Sequence, residues 1–185
     1  ILILTPYNKG EFGTYAINQA IQEKYNPANP MDNIVSRKLP PSLRVPMECL
    51  NYHIGDKVIN KKNNYHAMTE EGFNYYTTKG NVWVQFDEEM VVYRKSDLEN
   101  LLLAYACTSH ASQGCEAKGV IFLTHPSQKR MLSRNLCYMS LTRAKEMLVE
   151  IGDVSTINSA LRVNETRLRD TWLKELLKEG SDVKR

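Results

Sequence analysis

The chain has 185 residues, 42% of them hydrophobic and 24% charged, with a formal net charge of +3. That length suits one domain, or one domain with a small insert, and the mild basicity permits phosphate contacts without arguing for them. No apolar run reaches the ~18 residues of a membrane span, and no charged leader precedes an apolar core and cleavage site, so a membrane role is excluded from the reading. The four cysteines, Cys49, Cys107, Cys115 and Cys137, show no Cys-x-x-Cys spacing and match no common zinc pattern with His53, His66, His110 or His125. Reduced thiols, a cytoplasmic location and no metal site are the expectation.

In chain order, Ile1-Leu2-Ile3-Leu4-Thr5 reads as a buried strand. Its abrupt start is what a segment cut from a longer polypeptide would show. Pro6-Tyr7-Asn8-Lys9-Gly10 reads as a loop, and residues 12–24 carry Ala16, Ile17, Ala20 and Ile21 at helical spacing. Five of the seven prolines, Pro27, Pro30, Pro40, Pro41 and Pro46, then predict an irregular connector with little regular structure. Residues 55–97 change to short β candidates at 57–59, 82–86 and 90–93, a small β module. Within it, Val82 to Glu88 looks like a magnesium-holding Asp-Glu strand, but the alternation of apolar and polar residues predicts a hairpin instead. The α/β rhythm resumes with a strand at 119–123, a helix over 128–140 with Leu132, Leu136 and Met139 inward, and a strand at 147–151. Residues 164–179 predict an amphipathic helix with Leu168, Trp172 and Leu176 on one stripe. The simplest fold is α/β interrupted by a β insertion.

Two stretches concentrate groups suited to phosphate chemistry: Thr108-Ser109-His110-Ala111-Ser112-Gln113-Gly114-Cys115-Glu116 and Leu141-Thr142-Arg143-Ala144-Lys145. The hydroxyl, imidazole and amide of Thr108, His110 and Gln113 can bond phosphate or sugar, and Gly114 permits a turn close to a ligand. By itself His110 fits a structural histidine as well. Arg143 carries a planar, permanently charged guanidinium that can stabilise a transferring phosphoryl group; taken alone, an arginine is more often a surface ion pair. Pro6, Tyr7, Asn8 and Lys9 follow a strand, where α/β sheets place binding sites; Tyr7 stacks on a base or packs against the connector. Asn63, Asn64 and Tyr65, with Lys57, Lys61, Lys62 and His66 nearby, suit a single strand's backbone and bases, or a solvated hairpin. No Gly-x-x-x-x-Gly-Lys-Ser/Thr phosphate loop occurs in the 185 residues.

These two stretches resemble motifs V and VI of superfamily 1 helicases, most of all the RecD/TraA-type branch. That branch shares an opening like Thr5-Pro6-Tyr7-Asn8-Lys9-Gly10, with Gly13, Ala16 and Asn18-Gln19 beyond, and a stretch like Gly55-Asp56-Lys57-Val58. The similarity covers essentially the whole chain in order, including Arg169 and Thr171 near the end. It implies a RecA-like second motor domain without its own phosphate loop (residues 1–50 and 98–185) and an inserted SH3-like β module (51–97). It further implies an ATP-dependent, 5′ to 3′ DNA helicase whose ATP and Mg²⁺ bind against a separate N-terminal motor domain, the Mg²⁺ ligands lying outside this chain. Arg143 would be the catalytic arginine finger, with Gly114 and Glu116 near the nucleotide. Residues 6–9, Thr108, His110, Gln113 and 63–65 would touch single-stranded DNA. The further partners implied are subunits of a repair or conjugation complex. Two departures stand out: Ala111 replaces a basic residue, and residues 75–81 replace the usual Phe-Asn-Gly-Asp/Glu turn. The rival is a non-enzymatic module that binds nucleic acid or a partner on the same scaffold.

Overall fold

The apolar opening forms β1 (Leu2–Thr5), an interior strand of a four-stranded parallel sheet with β9 (Ala106–Thr108), β10 (Ala117–Leu123) and β11 (Ala144–Ile151). The strand order is β11-β10-β1-β9. An interior parallel strand is covered on both faces, which is why β1 is a near-continuous apolar run. The computed structural model describes residues 1–31, 34–61, 68–69, 81–86 and 89–163. Residues 63–65 and 164–179 therefore lie outside the described residues.

Helix α1 (Thr14–Tyr25) departs from the predicted apolar face. Its buried residues are Thr14, Asn18 and Gln22, while Ala16, Ile17 and Ile21 are only half-buried and Ala20 is exposed. The reason lies beneath the helix, where the backbone bends between β8 (Leu101–Leu103) and β9. Asn18 Nδ2 donates to the carbonyls of Leu103 (3.0 Å) and Ala106 (2.9 Å), and Asn18 Oδ1 accepts from Ala106 N (2.7 Å). Buried backbone groups that no strand partner reaches need such side chains.

The proline-rich connector is also more regular than predicted. It holds β2 (Val35–Lys38), paired antiparallel with β3 (Cys49–Tyr52), because its prolines flank the strand without interrupting it. The later β candidates form β4 (Val58–Asn60), β5 (Met68–Thr69), β6 (Val82–Phe86) and β7 (Glu89–Tyr93). β4 pairs antiparallel with β8, and β7 lies between β5 and β6. The antiparallel β6–β7 pairing bears out the two hairpin strands, while Asp87 and Glu88 between them lie outside the described residues.

The predicted helix over 128–140 begins later. Residues 126–128 form a 3₁₀ turn, and α2 (Arg134–Leu141) starts at Ser133, whose hydroxyl accepts from Leu136 N. Ser133 is thus the N-cap that ends the turn segment and begins the helix. Leu132 and Leu136 are buried as expected, with Met139 partly so. α3 (Val154–Arg162) follows β11 and is capped by Asp153. Leu4, Val120, Phe122, Leu132, Leu136, Cys137 and Ala160 form one apolar cluster under the parallel sheet. A separate cluster joins Val84, Val91 and Tyr93 to Leu50, Tyr52, Leu98, Leu101 and Leu103. No described helix is long and apolar enough to cross a membrane.

Candidate functional site

All strands of the main sheet run parallel, so their carboxyl ends share one edge. The register Thr5↔Thr108 sets the loop after β1 beside the loop after β9, bringing residues 6–9 next to Thr108 and His110. Asn8, Lys9 and His110 are exposed there. Pro6 is fully buried, which corrects its reading as a DNA contact: it can shape the loop but not touch a ligand. Tyr7 is half-buried, and its hydroxyl donates to the Ser127 carbonyl at 3.3 Å. The loop is braced from behind. Gln128 Nε2 donates to Thr5 Oγ1 (2.9 Å) and to the Phe12 carbonyl (2.8 Å), and Phe12 stacks on His125 at 3.7 Å. Gly13 is needed at the start of α1 because a Cβ there would collide with the Asn8 carbonyl.

The segment after Thr108 crosses from this edge to the opposite one. Thr108 Oγ1 accepts from Ala111 N (3.1 Å), and Ser112 N donates to the Thr108 carbonyl (3.1 Å), a compact turn. Ser109 and Ser140 are both fully buried, and Ser140 Oγ donates to Ser109 Oγ at 2.7 Å. This bond ties the turn to the interior of α2. Gln113 and Gly114 are exposed, with Gly114 at φ 86, a left-handed conformation that favours glycine.

At the amino edge Arg143 stands just beyond the end of α2. Its Nε donates to the Met139 carbonyl (3.1 Å) and one terminal nitrogen donates to the Cys115 carbonyl (3.3 Å). Lys145, not Arg143, takes the neighbouring acid, with Nζ 2.9 Å from Glu116 Oε2. The hydrogen bond and charge of Lys145, assisted by the charge of Arg143, hold the exposed Glu116 carboxyl below its ordinary pKa. Among the described residues Arg143 pairs with no carboxylate. The registers align Cys107 with Leu4 and Leu4 with Phe122, so Thr108 is level with Leu123, six residues along β10 from Ala117. The two groups of residues are therefore ~20 Å apart along the sheet. The structure brings residues 6–9 together with Thr108 and His110, and Glu116 together with Arg143, but not one group with the other.

Several contributors escaped the sequence reading. A cleft of about 240 Å³ opens at the carboxyl edge, lined by Asn8, Thr108 and Ala111 on one side and by Asn60 and Lys61 on the other. Asp56 accepts from Gln22 Nε2 (2.6 Å) and His53 N (2.7 Å) on one oxygen, and from Asn26 Nδ2 and Tyr105 Oη (both 2.8 Å) on the other. The Gly55-Asp56 signal was visible as part of a pattern, but nothing local indicates that one carboxylate would join α1, β3 and the approach to β9. Among the described residues no group of three His, Cys, Asp or Glu is placed to hold a metal ion.

Residues 103–149, which span β9, both motif stretches and most of β11, match the model of the UvrD-like helicase C-terminal domain. The chain is 32% identical over 171 residues to the ATP-dependent RecD2 DNA helicase of Deinococcus radiodurans, which covers 90% of this chain and 22% of that protein. It is also 28% identical over 180 residues to the uncharacterized protein MJ1519 of Methanocaldococcus jannaschii, covering 80% of this chain and 14% of that protein. The chain thus spans about a fifth or less of the length of these relatives. Among solved structures, a Bacteroides Pif1 helicase in complex with ADP-AlF3 and ssDNA shares 17% identity at a TM-score of 0.45, over 98% of this chain and 46% of that one. Family model and relative agree with the order of the two motif stretches: residues 103–149 are similar to a UvrD-like helicase C-terminal domain, and most of the chain is similar to part of a RecD2-type superfamily 1 helicase.

Proposed function

We propose that the chain is the second motor domain of an ATP-dependent, 5′ to 3′ DNA helicase, contributing an arginine finger at one sheet edge and single-strand contacts at the other. The observation that carries this reading is the position of Arg143. It is fixed by two backbone carbonyls, lies beside the Glu116–Lys145 pair and has no carboxylate partner among the described residues. A guanidinium held in place but not neutralised is suited to meet charge on another surface. ATP with Mg²⁺ would supply the transferable phosphoryl group, on a domain that carries the phosphate loop this sequence lacks. The donor set at the amino edge fits the outer side of such a site: Arg143 offers charge to the phosphoryl oxygens, and Gly114 lets backbone approach. Glu116 remains ionised beside Lys145 and is suited to accept from a ribose hydroxyl.

At the carboxyl edge, exposed Asn8, Lys9 and His110, with the half-buried Thr108, are suited to a phosphate backbone. Gln113 and residues 63–65 are proposed as further DNA contacts. The buried Ser109–Ser140 bond links the turn at this edge to the helix that Arg143 follows, a route by which closure at one edge can shift the grip at the other. We assign residues 1–50 and 98–185 to the motor domain and 51–97 to an SH3-like insertion. The two separate apolar clusters support two units, although the second cluster also draws on Leu50, Leu98, Leu101 and Leu103. Other subunits of a repair or conjugation complex are proposed partners.

The test uses a protein joining this chain to a phosphate-loop motor domain, with ATP turnover measured on single-stranded DNA. Arg143→Ala lowers turnover by about 10³-fold, and Arg143→Lys restores little because it lacks the planar fork. Unchanged turnover sinks the finger assignment. Collapse of turnover with DNA affinity retained removes the rival reading of a binding-only module.

A further inference from the structure

The loops after β1 and β10 meet at the carboxyl edge, where the Phe12 ring lies over the His125 ring at 3.7 Å between centroids and 16° between planes. The backbone at Phe12 is pinned. Its carbonyl accepts from Thr5 Oγ1 and Gln128 Nε2, each at 2.8 Å, and both donor side chains are buried. The phenyl ring itself stays 41% exposed, while His125 is half-buried. A single exposed apolar side chain is ordinary on a protein surface. What sets Phe12 apart is that a rigid frame holds it outward, nearly parallel to a second ring and among cations. Lys9 in its own loop and Lys129 and Arg130 in the other are exposed, against one acid, Glu11, across residues 6–13 and 124–131.

We propose that Phe12 and His125 form a stacking platform on which one base of a single DNA strand lies, with its flanking phosphates drawn to Lys9, Lys129 and Arg130. The inference rests on the nucleic-acid reading above and adds a base contact to residues suited only to the backbone. A nucleotide carries a flat ring and a negative charge a short distance apart, and an open phenyl face amid cations is the complement of both. Every base has such a face, so the contact is indifferent to sequence, as suits a domain that must follow any strand. The frame matters as much as the ring. With its backbone held by Thr5 and Gln128 and one face already against His125, Phe12 loses little freedom when a base meets the other face, which makes the contact preorganised.

The test is equilibrium binding of the full chain to a short oligo-dT and to a strand of the same length made of abasic sites, which carries the phosphates without the bases. Phe12→Ala weakens oligo-dT about tenfold and leaves the abasic strand unchanged, with the same slope of log affinity against log salt because no phosphate contact is lost. Phe12→Leu keeps the apolar bulk without a π face and shows the same loss, whereas Phe12→Trp retains the affinity of the unsubstituted chain. Full affinity in Phe12→Leu, or equal losses on the two strands in both the Ala and Leu variants, overturns the platform and makes the ring a brace of its loop. Oligo-dT binding unchanged by Phe12→Ala overturns the platform while leaving single-strand binding in place. Failure of the unsubstituted chain to bind either strand overturns the nucleic-acid reading and the platform together. Thymidine monophosphate that binds as tightly as the strand, and loses that affinity in Phe12→Ala, overturns the strand as the source of the base.

Discussion

Asp56 shows how one side chain can govern a region without touching a ligand. Four donors, from Gln22, Asn26, His53 and Tyr105, converge on its two oxygens, and Asp56→Ala would leave them without their acceptor. The expected loss is about 2–3 kcal/mol, read as a lower urea midpoint, with water replacing part of what is lost at this half-buried position. Tyr52 makes a different contribution. Burial pushes its phenol up to about 12, and its hydroxyl donates to the Leu101 carbonyl at 2.6 Å. Because the folded value is raised, the neutral phenol stabilises the fold fully below the unfolded value of about 10, and that stability is lost as pH rises from 10 through 12. Tyr52→Phe should therefore flatten the alkaline fall in melting temperature over that window, while costing about 1 kcal/mol at neutral pH for the missing hydrogen bond. An alkaline slope identical in both proteins would contradict the role given to Tyr52.

Helix α1 is the element whose orientation departs most from its own pattern. Its apolar residues recur at helical spacing, but the face with Thr14, Asn18 and Gln22 is turned inward, because the bend between β8 and β9 presents backbone groups that only polar side chains satisfy. Asn18→Leu tests this directly. The substitution adds apolar surface at a buried position, yet it should destabilise by about 3 kcal/mol or more, since three bonds to the Leu103 and Ala106 backbone are lost. A neutral or stabilising outcome in denaturant titration would show that water reaches those groups. Strands β1 and β10 behave in the opposite way. Their apolar residues are legible because an interior parallel strand is buried on both faces and needs no information from elsewhere. The late start of α2 lies between these cases: Ser133 is a good cap, but the apolar periodicity runs through it and hides the boundary.

At the scale of the molecule, the sheet separates two groups of candidate residues by ~20 Å, and the segment from Ser109 to Cys115 joins its edges. Under the proposed function, neither edge suffices for chemistry. The 185-residue chain should therefore show no ATP turnover with or without single-stranded DNA, while retaining weak, salt-dependent binding to the strand. Fluorescence anisotropy over a salt series, beside a phosphate-release assay, checks both, and each phosphate contact should add about 0.7 to the slope of log affinity against log salt. Robust turnover by the chain alone would refute the shared-site reading.

The order of motifs, the apolar strands and the residue types capable of phosphate chemistry were readable along the chain, because each depends on neighbours a few positions away. The Gln113-Gly114-x-Glu116 and Thr142-Arg143-Ala144 patterns belong to this class. What no local pattern contained was the pairing of Lys145 with Glu116, which leaves Arg143 held by two carbonyls and the Thr142 hydroxyl, and the burial of Pro6 beside the exposed Asn8 and Lys9. Nor did spacing foretell that Asn60, from the β insertion, would meet Asn8 and Thr108 across one cleft. Contacts between distant segments follow from strand order and register, and parallel pairing through long crossovers allows many arrangements that share the same local periodicities.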